Sequence, residues 1–217
     1  MLRHEIRTRI YGLYVIIDVT QQLRHHPLTL AEEVLKGGAK VIQLRAKGSN
    51  KESISRLSST MNDLCESYNA LFIVNDHPDI AASLNSHGVH LGQDDLSIKA
   101  TRKLLSPLQI IGKSNHTYGE AIKSYNEGAD YIAVGAMYPT ISKTQPIVGG
   151  PSLLKRVAER IDVPIVAIGG ITPDNIEEVI LAGASCICVI NAINASESPL
   201  ETSRFMVSKI IEAGGQA

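Results

Sequence analysis

Eight short apolar runs rich in valine and isoleucine, spaced along 217 residues, constrain this chain more than any other feature. They are Tyr14–Asp18, Val41–Arg45, Leu71–Asn75, Gly88–Gly92, Ile110–Ser114, Tyr131–Met137, Pro164–Gly170 and Cys186–Ile190. Continuous apolar runs mark parallel strands that are covered on both faces. Helical patterns separate them. The clearest spans 49–69, where Ile54, Leu57, Met61, Leu64, Cys65 and Tyr68 share one stripe. This alternation predicts a single (β/α)8 TIM barrel over residues 1–217, with a short N-terminal extension at 1–10 before the first strand. A doubly wound open sheet is the alternative.

Local signals place the helix ends. Thr29 with Glu32, Ser49 with Glu52 and Thr117 with Glu120 predict capping boxes. Gly37, Gly128 and Gly183 predict C-termini, and Thr172-Pro173 predicts an N-cap and first helical residue. The segment 97–106 carries a weaker helical pattern. A faint repeat also shows. Gly38-Ala39-Lys40-Val41, Gly128-Ala129-Asp130-Tyr131 and Gly183-Ala184-Ser185-Cys186 each end a helix and launch a strand, with His87-Gly88-Val89 a looser copy. These precede strands two, six, eight and four, a period that suits a closed eightfold barrel.

Charged residues make up 20% and the formal net charge is −1, which argues against a general nucleic-acid binder. Cys186 and Cys188 alternate on one strand face without further zinc ligands at suitable spacing, so the three cysteines are expected as buried thiols. The N-terminus lacks an apolar signal region, and no stretch approaches the ~20 apolar residues of a membrane span. A cytoplasmic protein without membrane partners is expected, with homo-oligomer formation left open.

In such a barrel the chemistry lies where strands end. Strand two ends Gln43-Leu44-Arg45-Ala46-Lys47, and alternation puts Gln43, Arg45 and Lys47 on one face. Two converging cations call for an anion; arginine suits bidentate phosphate contact and lysine supplies a point charge. Strand three ends Asn75-Asp76, and strand four runs into Gly92-Gln93-Asp94-Asp95. Carboxylates from adjacent strand ends suit Mg²⁺, although aspartate also caps helices. Ser114 could donate to phosphate or to a loop; His90 and His116 are more often structural than acid–base groups. Thr140, Ser142 and Lys143 form a candidate anion clamp after strand six. Gly169-Gly170 and Ile190-Asn191 end strands seven and eight, whose loops bind phosphate through backbone amides in many barrels.

Taken together, these strand ends resemble the thiamine phosphate synthase family from about Tyr11 to Ile193. The resemblance rests on Gln43-Leu44-Arg45-Ala46-Lys47, Asn75-Asp76, Gly88 to Asp95, Gly112-Lys113-Ser114, Thr140 to Lys143 and Ala167 to Pro173. It implies a transferase that joins hydroxymethylpyrimidine diphosphate to hydroxyethylthiazole phosphate, both small phosphorylated molecules. It further implies that Gln43, Arg45, Lys47, Asn75, Ser114 and Lys143 hold the pyrimidine diphosphate. Of these, Arg45, Lys47, Ser114 and Lys143 would be catalytic. Asp76 and Asp95 would ligate Mg²⁺, and Thr140, Ser142, Gly170, Ile190 and Asn191 would hold the thiazole phosphate. Two residues depart from the family pattern: Lys113 replaces a small or apolar residue, and Asn191 replaces serine. A thiazole tautomerase, a non-catalytic binder of thiazole or thiamine phosphates, and a sugar-phosphate isomerase are the competing readings.

Overall fold

The structure is a computed structural model describing residues 2–140 and 147–217; the predicted site residues Ser142 and Lys143 lie outside the described residues. Eight parallel strands form a closed barrel in sequence order: β1 (Gly12–Asp18), β2 (Val41–Arg45), β3 (Leu71–Asn75), β4 (Gly88–Leu91), β5 (Ile110–Asn115), β6 (Tyr131–Val134), β7 (Ile165–Ile168) and β8 (Cys186–Val189). β8 returns to β1 with Gly12 opposite Cys186, which excludes the open sheet. All eight predicted runs are strands, trimmed or extended by a few residues at their ends.

The helices are α1 (Arg3–Arg7), α2 (Pro27–Lys36), α3 (Lys51–Ser67), α4 (Pro78–Ser83), α5 (Ile98–Arg102), α6 (Tyr118–Asn126), α7 (Gly150–Ala158), α8 (Ile176–Leu181), α9 (Asn191–Asn194) and α10 (Pro199–Glu212). No described helix is long and apolar enough to cross a membrane.

Strand alternation divides the apolar side chains into two layers. Leu13, Ile42, Phe72, Val89, Ile111 and Ile132 face the helices. Tyr14, Val41, Ile73, Tyr131, Val166 and Cys188 fill the barrel interior. Cys186 joins the inner layer beside Cys188, and burial pushes its thiol up, as expected for inert thiols. Ile6 of α1 and Ile10 pack into the same inner cluster, so the N-terminal extension supplies core at the N-terminal ends of the strands.

Three predicted helix starts move. Thr29 lies inside α2, whose cap is His26 followed by Pro27. Asn50, not Ser49, caps α3, with its side chain accepting the Ser53 N–H at 2.8 Å. Asn175 precedes α8, leaving Thr172-Pro173 in the loop. Asn50 and His26 accept at the caps of α3 and α2, and Asn175 makes no side-chain cap bond, so the spacing of polar residues alone misplaces these starts. The Thr117–Glu120 box is present as predicted. The repeated turn is a single backbone device: Gly38, Gly128 and Gly183 all take φ near +100°, at +102°, +89° and +105°.

Candidate active site

The described site residues collect at the C-terminal ends of the strands. The first feature is one that reading strand two alone missed. Asp18 closes β1 opposite Arg45 in register. It is fully buried, and the Arg45 guanidinium donates to it at 2.6 Å. The Thr20 hydroxyl donates to the same carboxylate at 2.6 Å. Arg45 therefore already has its anion, and the expectation that it needs a ligand to neutralise it is corrected. Its Nε is nevertheless buried without a hydrogen-bond partner among the described residues, leaving a donor to spend on a ligand. The signal for Asp18 was a carboxylate ending an otherwise apolar run.

Lys47 lies farther out, with its ammonium 3.0 Å from Asp76 and its side chain 55% exposed. Asp76 sits in the left-handed region at φ +62°, which turns the chain sharply after β3. Its N–H donates to the His90 carbonyl at 2.9 Å. This turn brings its carboxyl into hydrogen-bond contact with Asp95. Asp95 also accepts the Gly92 N–H at 2.6 Å. Burial and the adjoining Asp95 raise the Asp76 carboxyl above the ordinary carboxylate range. Burial also raises Asp95, but Asp76, the Gly92 N–H and two ammoniums outweigh it and hold Asp95 low. Two carboxyls this close need a proton or a cation between them. Oxygen donors with that requirement fit Mg²⁺, which takes one or two carboxylates and completes its shell with water and phosphate.

Lys113, one of the two departures from the family pattern, stands beside Asp95, whose carboxylate its ammonium helps to hold low. It is buried on β5 and donates to the Gly92 carbonyl at 2.6 Å, and burial pushes its ammonium down. It ties the loop bearing Asp95 to β5. Asn75 is buried at the end of β3, opposite His90 in register. His116 has its Nδ1 2.8 Å from the Gly135 carbonyl, and its N–H donates to Glu120, so its visible work is to hold the loop ends.

A polar chain crosses the barrel interior. The Gln43 amide nitrogen donates to the Tyr14 hydroxyl at 2.6 Å. Tyr14 and Tyr131 hydroxyls are 3.2 Å apart. Tyr131 meets His90 Nδ1 at 3.0 Å, and His90 Nε2 meets Ser114 Oγ at 2.8 Å. Sequence reasoning missed both tyrosines. Their signal was a hydroxyl facing inward from a buried strand, which demands a partner.

A cavity of about 320 Å³ opens beside this chain. Ser114, Thr140, Gly170, Ile190 and Asn191 all line it, so the residues predicted for the thiazole phosphate that the structure describes share one wall system. Ser114 also lines a smaller internal space with Gln43, Tyr14, Tyr131 and His90, and with Ala133, Ile168 and Cys188 it is common to both. Gly170 takes φ +66°, and a Cβ there would lie 2.7 Å from the Pro139 carbonyl. Only glycine fits that turn.

Comparison with known proteins gives the family. The family model described as thiamine monophosphate synthase matches residues 13–193. A thiamine-phosphate synthase of Shouchella clausii is 42% identical over 206 residues, covering 94% of this chain and 98% of the relative. One from Methanospirillum hungatei is 42% identical over 204 residues, covering 93% and 98%. The solved thiamine phosphate pyrophosphorylase from Pyrococcus furiosus superposes with a TM-score of 0.88 at 33% identity, covering 97% of this chain and all of that one.

Proposed function

The chain belongs to the thiamine monophosphate synthase family, and on that premise we propose which of its residues carry the reaction. The enzyme condenses hydroxymethylpyrimidine diphosphate with hydroxyethylthiazole phosphate, giving thiamine phosphate and pyrophosphate. Neither a tautomerase nor a non-catalytic binder finds support among the relatives.

One observation carries the assignment: the interior space lined by Gln43 and His90 adjoins the cavity over β5–β8, and Ser114 lines both. Arg45 and Lys47 hold the diphosphate on the rim, with Gln43 and Asn75 orienting the pyrimidine end. Lys143 is assigned to the same diphosphate by its place in the family motif. Mg²⁺ held by Asp76 and Asp95 would neutralise charge on the departing pyrophosphate. Thr140, Ser142 and Gly170 hold the thiazole phosphate, and the first N–H groups of α9, at Ile190 and Asn191, meet the same anion. The reaction asks for charge neutralisation and alignment more than for a strong base. The abundance of donors and the scarcity of general bases at this site match that demand. The substrates are free small molecules, and we place the reaction in the cytoplasm.

The test is to incubate the protein with both substrates, with and without Mg²⁺, and follow thiamine phosphate by mass spectrometry. Asp76→Asn and Asp95→Asn should each lower turnover by about 100-fold or more while leaving the circular dichroism spectrum unchanged. Near-normal turnover of both variants at limiting Mg²⁺ would remove the metal assignment.

A further inference from the structure

We propose that Gln43, Tyr14, Tyr131, His90 and Ser114 form a hydrogen-bond relay with a single direction, which makes Ser114 a donor toward the diphosphate. Tyr14, Tyr131 and His90 are then positioning residues. The proposal rests on the reading above that Ser114 holds that diphosphate.

The five residues come from five different strands, β2, β1, β6, β4 and β5, and four links of 2.6, 3.2, 3.0 and 2.8 Å join them. All but Ser114 are buried. Gly112 makes the crossing possible: a Cβ there would lie 1.9 Å from the Tyr131 ring. Burial pushes both tyrosine hydroxyls up, so each keeps its proton and can donate.

Counting protons leaves two directions for the chain. In the first, the Tyr14 oxygen accepts the Gln43 N–H and the Tyr14 proton goes to Tyr131. The Tyr131 proton then goes to His90 Nδ1. Neutral imidazole carries one N–H, so His90 is protonated on Nε2 and donates to Ser114 Oγ. The Ser114 proton is left to point at the ligand. Because each hydroxyl has one proton and neutral imidazole one N–H, reversing one of the three links from Tyr14 to Ser114 reverses the other two, while the Gln43 amide nitrogen donates in both. The reversed chain turns the Ser114 proton onto His90 and presents only lone pairs to the substrate. An anion selects the first direction.

The experiment uses the full-length protein labelled with ¹⁵N-histidine, with inorganic pyrophosphate and Mg²⁺ as the probe. Long-range ¹H–¹⁵N spectra at alkaline pH should show His90 as the Nε2–H tautomer, the signal being assigned by its loss in His90→Gln. Tyr131→Phe keeps the ring and deletes one hydroxyl. It should populate the Nδ1–H tautomer and weaken pyrophosphate binding about tenfold, the size of one hydrogen bond to a charged group. That loss should vanish when Ser114→Ala is already present, since the tyrosine acts through the serine. A merely structural tyrosine would weaken binding equally in both backgrounds. An Nδ1–H tautomer in the parent, or an undiminished Tyr131→Phe effect beside Ser114→Ala, would overturn the relay. Failure to make thiamine phosphate would instead overturn the assigned reaction, leaving the tautomer result standing.

Discussion

Asp18 and Arg45 show how one side chain can serve fold and ligand together. Arg45 is half of a buried ion pair and also carries an unspent Nε donor. Removing one partner of a buried pair strands the other charge, which costs about 3–5 kcal/mol. Arg45→Met should therefore lower the melting temperature markedly as well as weaken diphosphate binding. Lys47→Met should do only the second, because its pair with Asp76 is half exposed and contributes about 0–1 kcal/mol to the fold. Melting curves and calorimetry on both variants separate the two; equal melting temperatures would contradict the division. Asn191 poses a different residue-scale question. If α9 backbone N–H groups hold the phosphate, side-chain identity matters little. Asn191→Ser should change thiazole phosphate affinity by less than about 1 kcal/mol, one neutral hydrogen bond. Asn191→Asp should weaken it strongly by setting a negative charge beside the phosphate. Equal titration affinity for the aspartate variant would show that Asn191 does not face the phosphate.

At the scale of elements, loops rather than strands decide the site. Gly170 leaves β7 at φ +66°, and a Cβ there would run into the Pro139 carbonyl and Tyr138. Gly170→Ala should both strain the backbone and push the β6 loop outward, costing about 1–3 kcal/mol of stability. The same change should raise KM for the thiazole phosphate more than for the pyrimidine diphosphate. Steady-state kinetics with each substrate varied in turn checks this; equal changes in both would mean that the turn does not shape the thiazole site. The helix caps illustrate how far local pattern carries. The Thr117–Glu120 box was legible because both partners and their spacing are specific. The starts of α2 and α3 were not, because a neighbouring side chain accepts at the first turn instead, and α8 starts after Asn175 with no side-chain cap bond to mark it.

For the molecule as a whole, one partly buried histidine ties stability to pH. His87 precedes β4, and its Nδ1 accepts the Phe72 N–H at 3.1 Å. Burial, helped by Arg9, holds it down to about 4, against an ordinary value of about 6.5 in the unfolded chain. Between those values the unfolded chain binds the extra proton. The contribution is therefore complete above pH ~6.5 and lost as pH falls toward ~4, by about 3 kcal/mol in all. Melting temperature should fall across that window, and His87→Gln, which keeps an acceptor, should flatten the fall. An unchanged slope in the variant would assign the acid sensitivity to other groups.

The barrel itself was legible in the chain. Eight apolar runs with helical spacers admit few packings, and parallel strands buried on both faces admit only apolar sequence. The positions of candidate rim residues were legible too, because polar groups such as Arg45 and Asn75 end their runs. What the sequence could not determine were partners. Asp18 lies 27 residues from Arg45, and Tyr14 lies 117 from Tyr131. Lys113 could not be told from a ligand-binding cation until the fold set its ammonium on the Gly92 carbonyl. Alternation along a strand states which face a side chain takes, and only barrel closure states what stands across from it.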